Sequence, residues 1–432
     1  MSSNHTQLVL LRKLSKVAIK GAEYDSPERL LPPRCLEGTR EDRLEDIYKL
    51  LDNRDKSRLI WLHGAAGVGK SAVAFTVAER MRGLKVTPRT NEKRLAGTFF
   101  FSRKHTKRCT TGYFFATLAY QLATNFASIR KDVNQAIREN PALLDPDKSL
   151  HDQMQSLFVQ PLQRLYFRLR ECPPLVFVVD AFDECRPETV ADLISLLGQA
   201  LRQPNLPVVH ILLTSRPEEH IRRAIHKAEM REIPEKTSAE SVTTTISLEG
   251  ADVDNDIYIF LQHSFKELER QHPDFPQPTA DELAQLVSRA GRRFIVASTM
   301  INFINGQDDD TRDRLQLILD LTSEMLPRTE VYKLYDCILS TCADPKRAYL
   351  HLSVVAALVD PLPISEISKL LGPGQGNHVE TTLLQLRSIM DIPADSSLPV
   401  NIYHSSTPQT AIFIKNDASR HPTPYSLVVL WD

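Results

Sequence analysis

One segment near residue 64 constrains the fold more than any other part of the chain. RLIWLHGAAGVGKSAVAFTVAER (58–80) carries the spacing G-x-x-x-x-G-K-[ST] as Gly64, Gly69, Lys70 and Ser71. An apolar run precedes it and a helical pattern follows, which is the setting a phosphate-binding loop requires. Glycines let the backbone turn tightly with its N–H groups facing inward. Gly64, Ala65, Ala66, Gly67, Val68 and Gly69 therefore form the expected cradle. The helix that starts there adds the partial positive charge of its N-terminus. Lys70 is expected to neutralise β- and γ-phosphates, and the Ser71 hydroxyl to bind Mg²⁺. The simpler reading is a glycine turn before a buried helix.

A second segment, PLVFVVDAFDEC, runs four apolar residues, Val176 to Val179, into Asp180. An acid at the carboxyl end of a buried strand lies where open α/β sheets bind ligands, so Asp180 is read as the Mg²⁺-side carboxylate. Asp183 and Glu184 follow on the same loop, and Glu184 is the candidate to orient or deprotonate an attacking water. Their plainer reading is a solvated acidic helix start. A third run, VVHILLTSRPEE, ends in Thr214, Ser215 and Arg216. Arg216 is expected to contact the γ-phosphate or, alternatively, to pair with Glu218 or Glu219. The chain has no N-K-x-D and no D-x-x-G after a second strand, which argues against a small G-protein. The protein kinase pair H-R-D and D-F-G is also missing.

The surrounding pattern sets the fold class. Apolar strands at 59–62, 97–101, 175–179 and 208–213 alternate with helical stretches at 71–82, 112–124, 149–168 and 187–202. Such alternation predicts an α/β protein with a doubly wound parallel sheet. After Ile233 helical patterns dominate, at 254–269, 279–289, 294–305, 311–324 and 329–341. Helical patterns at 346–358, 363–371 and 378–390, with a strand at 399–403, suggest a winged-helix-like module. The expected organisation is an N-terminal helix and Pro-rich linker (1–35), a nucleotide-binding domain (36–235), a helical domain (236–343), a winged-helix-like module (344–405) and an unassigned tail (406–432).

Composition narrows the partners. With 432 residues, 42% hydrophobic and 25% charged, the chain is an ordinary globular protein long enough for more than one core. Its 53 Lys and Arg balance 54 Asp and Glu, giving no global attraction to nucleic acid or to an anionic membrane. No apolar run approaches the roughly 18 residues that cross a bilayer. The block 8–11 is too short for a signal-peptide core. Six scattered cysteines at no zinc-binding spacing read as free thiols of a reducing compartment, hence a cytoplasmic location.

The set GAAGVGKS, FVVDAFDEC and LLTSRPE resembles the NACHT domain of STAND P-loop NTPases, in the fungal NLR-like form with a nephrocystin-type N-terminal NTPase domain. AEYDSPERLLPPRCLEGTRED and GRRFIVASTMINFI resemble that family's flanking segments. The resemblance implies a switch held closed by ADP and opened by ATP, with slow hydrolysis and self-association or association with related NLR-like proteins. It assigns Thr39 and Arg40 to an entry element near the base. It makes Arg216 the arginine sensor, and makes His404 a winged-helix contact to the ADP β-phosphate. Lone histidines near strand ends are as readily structural. The family pattern breaks after His404, and Gly291–Arg292–Arg293 departs from the usual Gly-Leu.

Two other readings compete. Residues 79–108 hold Arg80, Arg82, Lys85, Arg89, Lys93, Arg94, Arg103, Lys104, Lys107 and Arg108 against Glu79 and Glu92, which would suit a nucleic-acid-associated NTPase. No aromatic residue interleaves these charges before Phe99, and a solvated basic face explains them as well. The other is a non-catalytic interaction module that regulates full-length relatives.

Overall fold

The computed structural model describes residues 12–26, 34–55, 57–230, 243–249, 252–273, 275, 277–306, 311–321, 330–393 and 395–403. The chain divides into two compact units, Met1–His263 with Arg292–Phe294, and Ser264–Gly291 with Ile295–Asp432.

The first unit is built on an all-parallel sheet of five strands. These are β1 (Arg58–His63), β2 (Leu95–Phe100), β3 (Leu175–Asp180), β4 (Val209–Ser215) and β5 (Thr243–Ser247), in the spatial order β2-β3-β4-β1-β5. Alternate residues of each strand face opposite sides, and both sides are covered. Leu59, Trp61, Phe177, Val179, Ile211 and Leu213 enter one core. Ile60, Leu62, Val176, Val178 and Leu212 enter the other. That is why these strands read as unbroken apolar runs. The fold is the α/β architecture expected of a P-loop NTPase.

Helices cover both faces. A short helix at 12–17 (α1) precedes α2 (Glu41–Asp52) and α3 (Lys70–Gly83). Next come α4 (Phe114–Asn125) and α5 (Arg130–Glu139). α6 (Leu150–Gln153) passes through a π-helical stretch, Met154–Val159, into α7 (Gln160–Leu169). The series ends with α8 (Pro187–Leu201) and α9 (Glu219–Met230). Ile47 and Leu51 of α2 join Val73, Val77 and Met81 of α3 on one face. Leu118, Leu122, Val133, Leu162 and Leu193 lie in the other core.

Three expectations change. The sheet takes its fifth strand from Thr243–Ser247, beyond the boundary expected at 235. TTTIS has one apolar residue, and β5 pairs only with β1 at the sheet edge, so no apolar run marks it. Helices α5 and α9 also lie outside the patterns read from sequence. Finally, the segment expected to be a helix and linker contributes to the core. Leu14 and Ala22 are fully buried. Ile19 N donates to Thr117 Oγ1 at 3.1 Å, and Tyr24 N to Thr98 Oγ1 at 3.0 Å.

The β2 edge is closed by side chains. Gln121 Nε2 donates to Thr98 O at 2.8 Å, and its Oε1 accepts from Thr98 N at 2.8 Å. Four residues along α4, Asn125 Nδ2 donates to Lys93 O at 2.9 Å and its Oδ1 accepts from Lys93 N at 2.9 Å. Two carboxamides on one helical face thus replace a neighbouring strand.

Helix α10 (Val253–Gln271) follows β5. The second unit is mostly helical, with α11 (Ala280–Ala290), α12 (Phe294–Ile304), α13 (Thr311–Asp320) and α14 (Glu330–Ser340). Thr279 and Glu282 form a capping box at the start of α11, and Gly291, at φ 56°, ends it. Then α15 (Pro345–Ala357), α16 (Ile364–Gln375) and α17 (Val379–Leu384) lead to β6 (Met390–Asp391) and β7 (Asn401–Ile402), which pair antiparallel. His404 and the 406–432 tail lie outside the described residues.

Candidate functional site

The phosphate-loop segment joins the end of β1 to the start of α3, at the carboxyl edge of the sheet. Gly67 and Gly69 adopt φ of 77° and 95°, a region that side chains disfavour. A Cβ on Gly64 would lie 2.9 Å from Val68 Cγ2 and 3.3 Å from Leu248 Cβ, so a side chain there would require both neighbours to shift. Helix α3 has no side-chain cap and no acid in its first turn. Its leading N–H groups are therefore left to an anion. Lys70 Nζ donates to the Gly64 and Ala65 carbonyls, both at 2.8 Å, and so lies folded along the loop.

Lys70 lies within electrostatic reach of the other expected groups. Burial holds its ammonium below the usual lysine range, Arg216 adds to that effect, and Asp183, Asp180 and Glu184 oppose it. The sheet order explains the convergence. Strand β4 sits between β1 and β3, so its tip separates the loop from the carboxylates. Thr214 Oγ1 donates to Asp180 Oδ1 at 2.5 Å and accepts from Ala181 N at 3.2 Å. Asp180 is 3% exposed. Beside it, Trp61 Nε1 donates to Ser215 Oγ at 2.8 Å, locking β1 to β4.

Asp183, 5% exposed, is the partner of Arg216. Arg216 Nε lies 3.0 Å from Asp183 Oδ2, and Arg216 N donates to Asp183 Oδ1 at 2.9 Å. The expected alternatives are engaged elsewhere, with Glu218 3.7 Å from Arg103 and Glu219 2.8 Å from Arg223. A carboxylate from the β3 loop is nearer because β3 and β4 are adjacent strands. Glu184 Oε2 accepts from Arg103 N at 3.1 Å, and Arg103 Nη2 donates to Asp183 O at 2.7 Å. Burial lowers Lys104 to about 8, against the pull of Glu184. Asp183 is thus paired with Arg216, Glu184 is faced by Lys104, and Asp180 takes the Thr214 hydroxyl, none of which sequence spacing revealed.

Arg40 also reaches the loop, whereas Thr39 bonds within its own turn. Thr39 Oγ1 donates to Leu36 O at 2.6 Å, and Arg40 Nη2 donates to Val68 O at 2.7 Å. Two acids absent from the sequence reading join them. Ala65 N donates to Glu249 Oε1 at 3.0 Å, and Asp256 holds Arg40. Glu249 follows an unrecognised strand, and Asp256 reads as an ordinary first-turn acid of a helix, so neither carries a sequence signal. The basic run is dispersed. Arg94 is buried against Asp52 and Pro174 O, Arg108 Nε donates to Phe100 O, and Arg80 stacks on Tyr48.

A donor set of one hydroxyl, Ser71, and one strand-end carboxylate, Asp180, suits Mg²⁺, which keeps water and substrate phosphate oxygens for its remaining positions. The described residues contain no group of three or more His, Cys, Asp or Glu that could hold a metal ion.

Residues 38–216 match the family model described as nephrocystin 3, N-terminal. Among solved structures, a STAND protein with a tetratricopeptide repeat sensor from Pyrococcus horikoshii is 13% identical, with a TM-score of 0.48 over 89% of this chain and 44% of that one. A Walker-type ATPase of Pyrococcus abyssi is 15% identical, with a TM-score of 0.39 over 88% of this chain and 98% of that one. Cdc6p from Pyrobaculum aerophilum is 12% identical, with a TM-score of 0.33 over 88% and 95%. The chain spans under half of the first of these. No curated protein matches it.

Proposed function

We propose, from the premise that residues 38–216 are a nephrocystin-type P-loop NTPase domain, that this chain is a STAND-type molecular switch that binds ATP or ADP with Mg²⁺ and hydrolyses ATP slowly. One observation carries the reading. An uncapped helix start bearing Lys70 lies within electrostatic reach of Asp180, Asp183, Glu184 and Arg216, which stand at or just past the ends of the neighbouring strands β3 and β4 at the same edge of the sheet.

In this reading the amides from Gly64 to Ser71 hold the β-phosphate, Ala65 N leaving Glu249 to do so, and Lys70 leaves the loop carbonyls to reach the γ-phosphate. Ser71 and Asp180 would hold Mg²⁺, which would supply neutralisation of phosphate charge. Thr214 fixes the Asp180 carboxylate through its hydroxyl. Glu184 accepts the proton of the attacking water once its bond to Arg103 N is released. Arg216, held by Asp183, contacts the γ-phosphate and so distinguishes ATP from ADP.

The same reading makes residues 344–405 a winged-helix-like module, with three helices and the β6–β7 pair as support. His404 is assigned to the ADP-bound state by family resemblance alone. It also makes the chain a cytoplasmic, NLR-like signalling core whose nucleotide state governs self-association. No described helix is long and apolar enough to cross a membrane. Lys70→Ala is expected to abolish ADP binding by calorimetry in a folded protein. Wild-type affinity in that variant would remove the proposal.

A further inference from the structure

Arg40 occupies the position that family resemblance assigns near the base, yet its bonds run to the phosphate loop. It is 7% exposed and begins α2 at φ 59°. Its Nη2 donates to Val68 O at 2.7 Å, and its Nε lies 3.4 Å from Asp256 Oδ2. Its backbone N donates to Asp256 Oδ1 at 3.0 Å, and its guanidinium lies 5.2 Å from the Phe294 ring centre. One carboxylate thus fixes both the backbone and the side chain of Arg40.

The Val68 carbonyl belongs to the same planar peptide as the Gly69 N–H, and in a trans peptide the two point in opposite directions. Gly69, at φ 95°, is the one residue there able to let that peptide turn over at little cost. Holding the carbonyl on the Arg40 side aims the N–H to the other side, into the cradle. The Phe294 ring lies behind Gly69, at ordinary contact distance from where a Cβ would stand. Two residues shortly before Asp256 hold the end of β1 and the loop. Leu248 N donates to His63 O at 2.8 Å, and Glu249 accepts from Ala65 N at 3.0 Å.

We propose that Arg40, locked by Asp256, is a positioning residue that aims the Gly69 N–H at a bound phosphate and does not itself recognise the base. This rests on the nucleotide-binding reading above.

The test uses the full chain and two probes, ADP and inorganic pyrophosphate, which lacks base and ribose. Calorimetry compares wild type with Arg40→Ala, Asp256→Ala and the double variant, with circular dichroism and melting as controls of folding. Each single variant is expected to weaken both probes by the same factor, at least tenfold. The double variant should be no weaker than Arg40→Ala. Loss of ADP binding with pyrophosphate unchanged would make Arg40 a base or ribose contact and overturn the proposal. So would wild-type affinity in the folded fraction of either variant, or additive losses. Where an alanine variant does not fold, Arg40→Lys and Asp256→Asn are read by the same criteria. Wild type that binds neither probe would remove the nucleotide reading and this inference with it. Binding by wild type but equally by the variants removes this inference alone.

Discussion

At the residue scale, the site is a set of buried charges that each have a partner from a distant part of the chain. Arg216 takes Asp183, Arg40 takes Asp256, and Asp180 takes the Thr214 hydroxyl. An unpaired charge at these depths would be costly. The glycines and Lys70 were legible in the sequence because loop chemistry is local. Thr214, Glu249 and Asp256 were not legible as partners, because their contacts span 34, 184 and 216 positions. A buried histidine behind the site offers a separate check. His210 is fully buried in β4, its Nε2 lies 2.8 Å from Asn53 O, and burial pushes it down to about 4. Its folded form resists protonation that the unfolded chain accepts, so stability is lost as pH falls from 6.5 toward 4. The full effect is about 3 kcal/mol by the pKa difference. Urea titrations of His210→Gln are expected to show a flatter loss over that window. An unchanged slope would mean that other groups govern acid sensitivity.

At the element scale, four of five strands were legible because each is buried on both faces. β5 was not, since only Thr243 and Ile246 of its five residues are buried and TTTIS shows no apolar run. What seals the opposite edge is also invisible to periodicity. Gln121 and Asn125 read as ordinary polar positions of an amphipathic helix. Only the packing of α4 along β2 turns them into backbone partners. Replacing both with alanine leaves at least four backbone groups without their bonds. The expected loss is about 2–4 kcal/mol in urea unfolding, taking about 1 kcal/mol for each hydrogen bond. Concentration-dependent association through the opened edge should accompany it. A monomeric variant of wild-type stability would show that water replaces the carboxamides at no cost.

At the scale of the whole molecule, a switch requires states of different nucleotide affinity, and ligands shift it only by that difference. Light scattering is expected to give one mass with ADP and a larger one with a non-hydrolysable ATP analogue. Equal masses would separate nucleotide binding from self-association. By itself the sequence determined the phosphate loop, the acid after β3 and the class of sheet, because tight turns and buried strands leave local signatures. The tertiary structure alone decided that β4 stands between loop and acid, that Asp183 takes Arg216, and that residues 12–26 complete the core. It also decided that Arg40 serves the loop. Those outcomes depend on which strands become neighbours, and strand order is settled by global packing that no local spacing records.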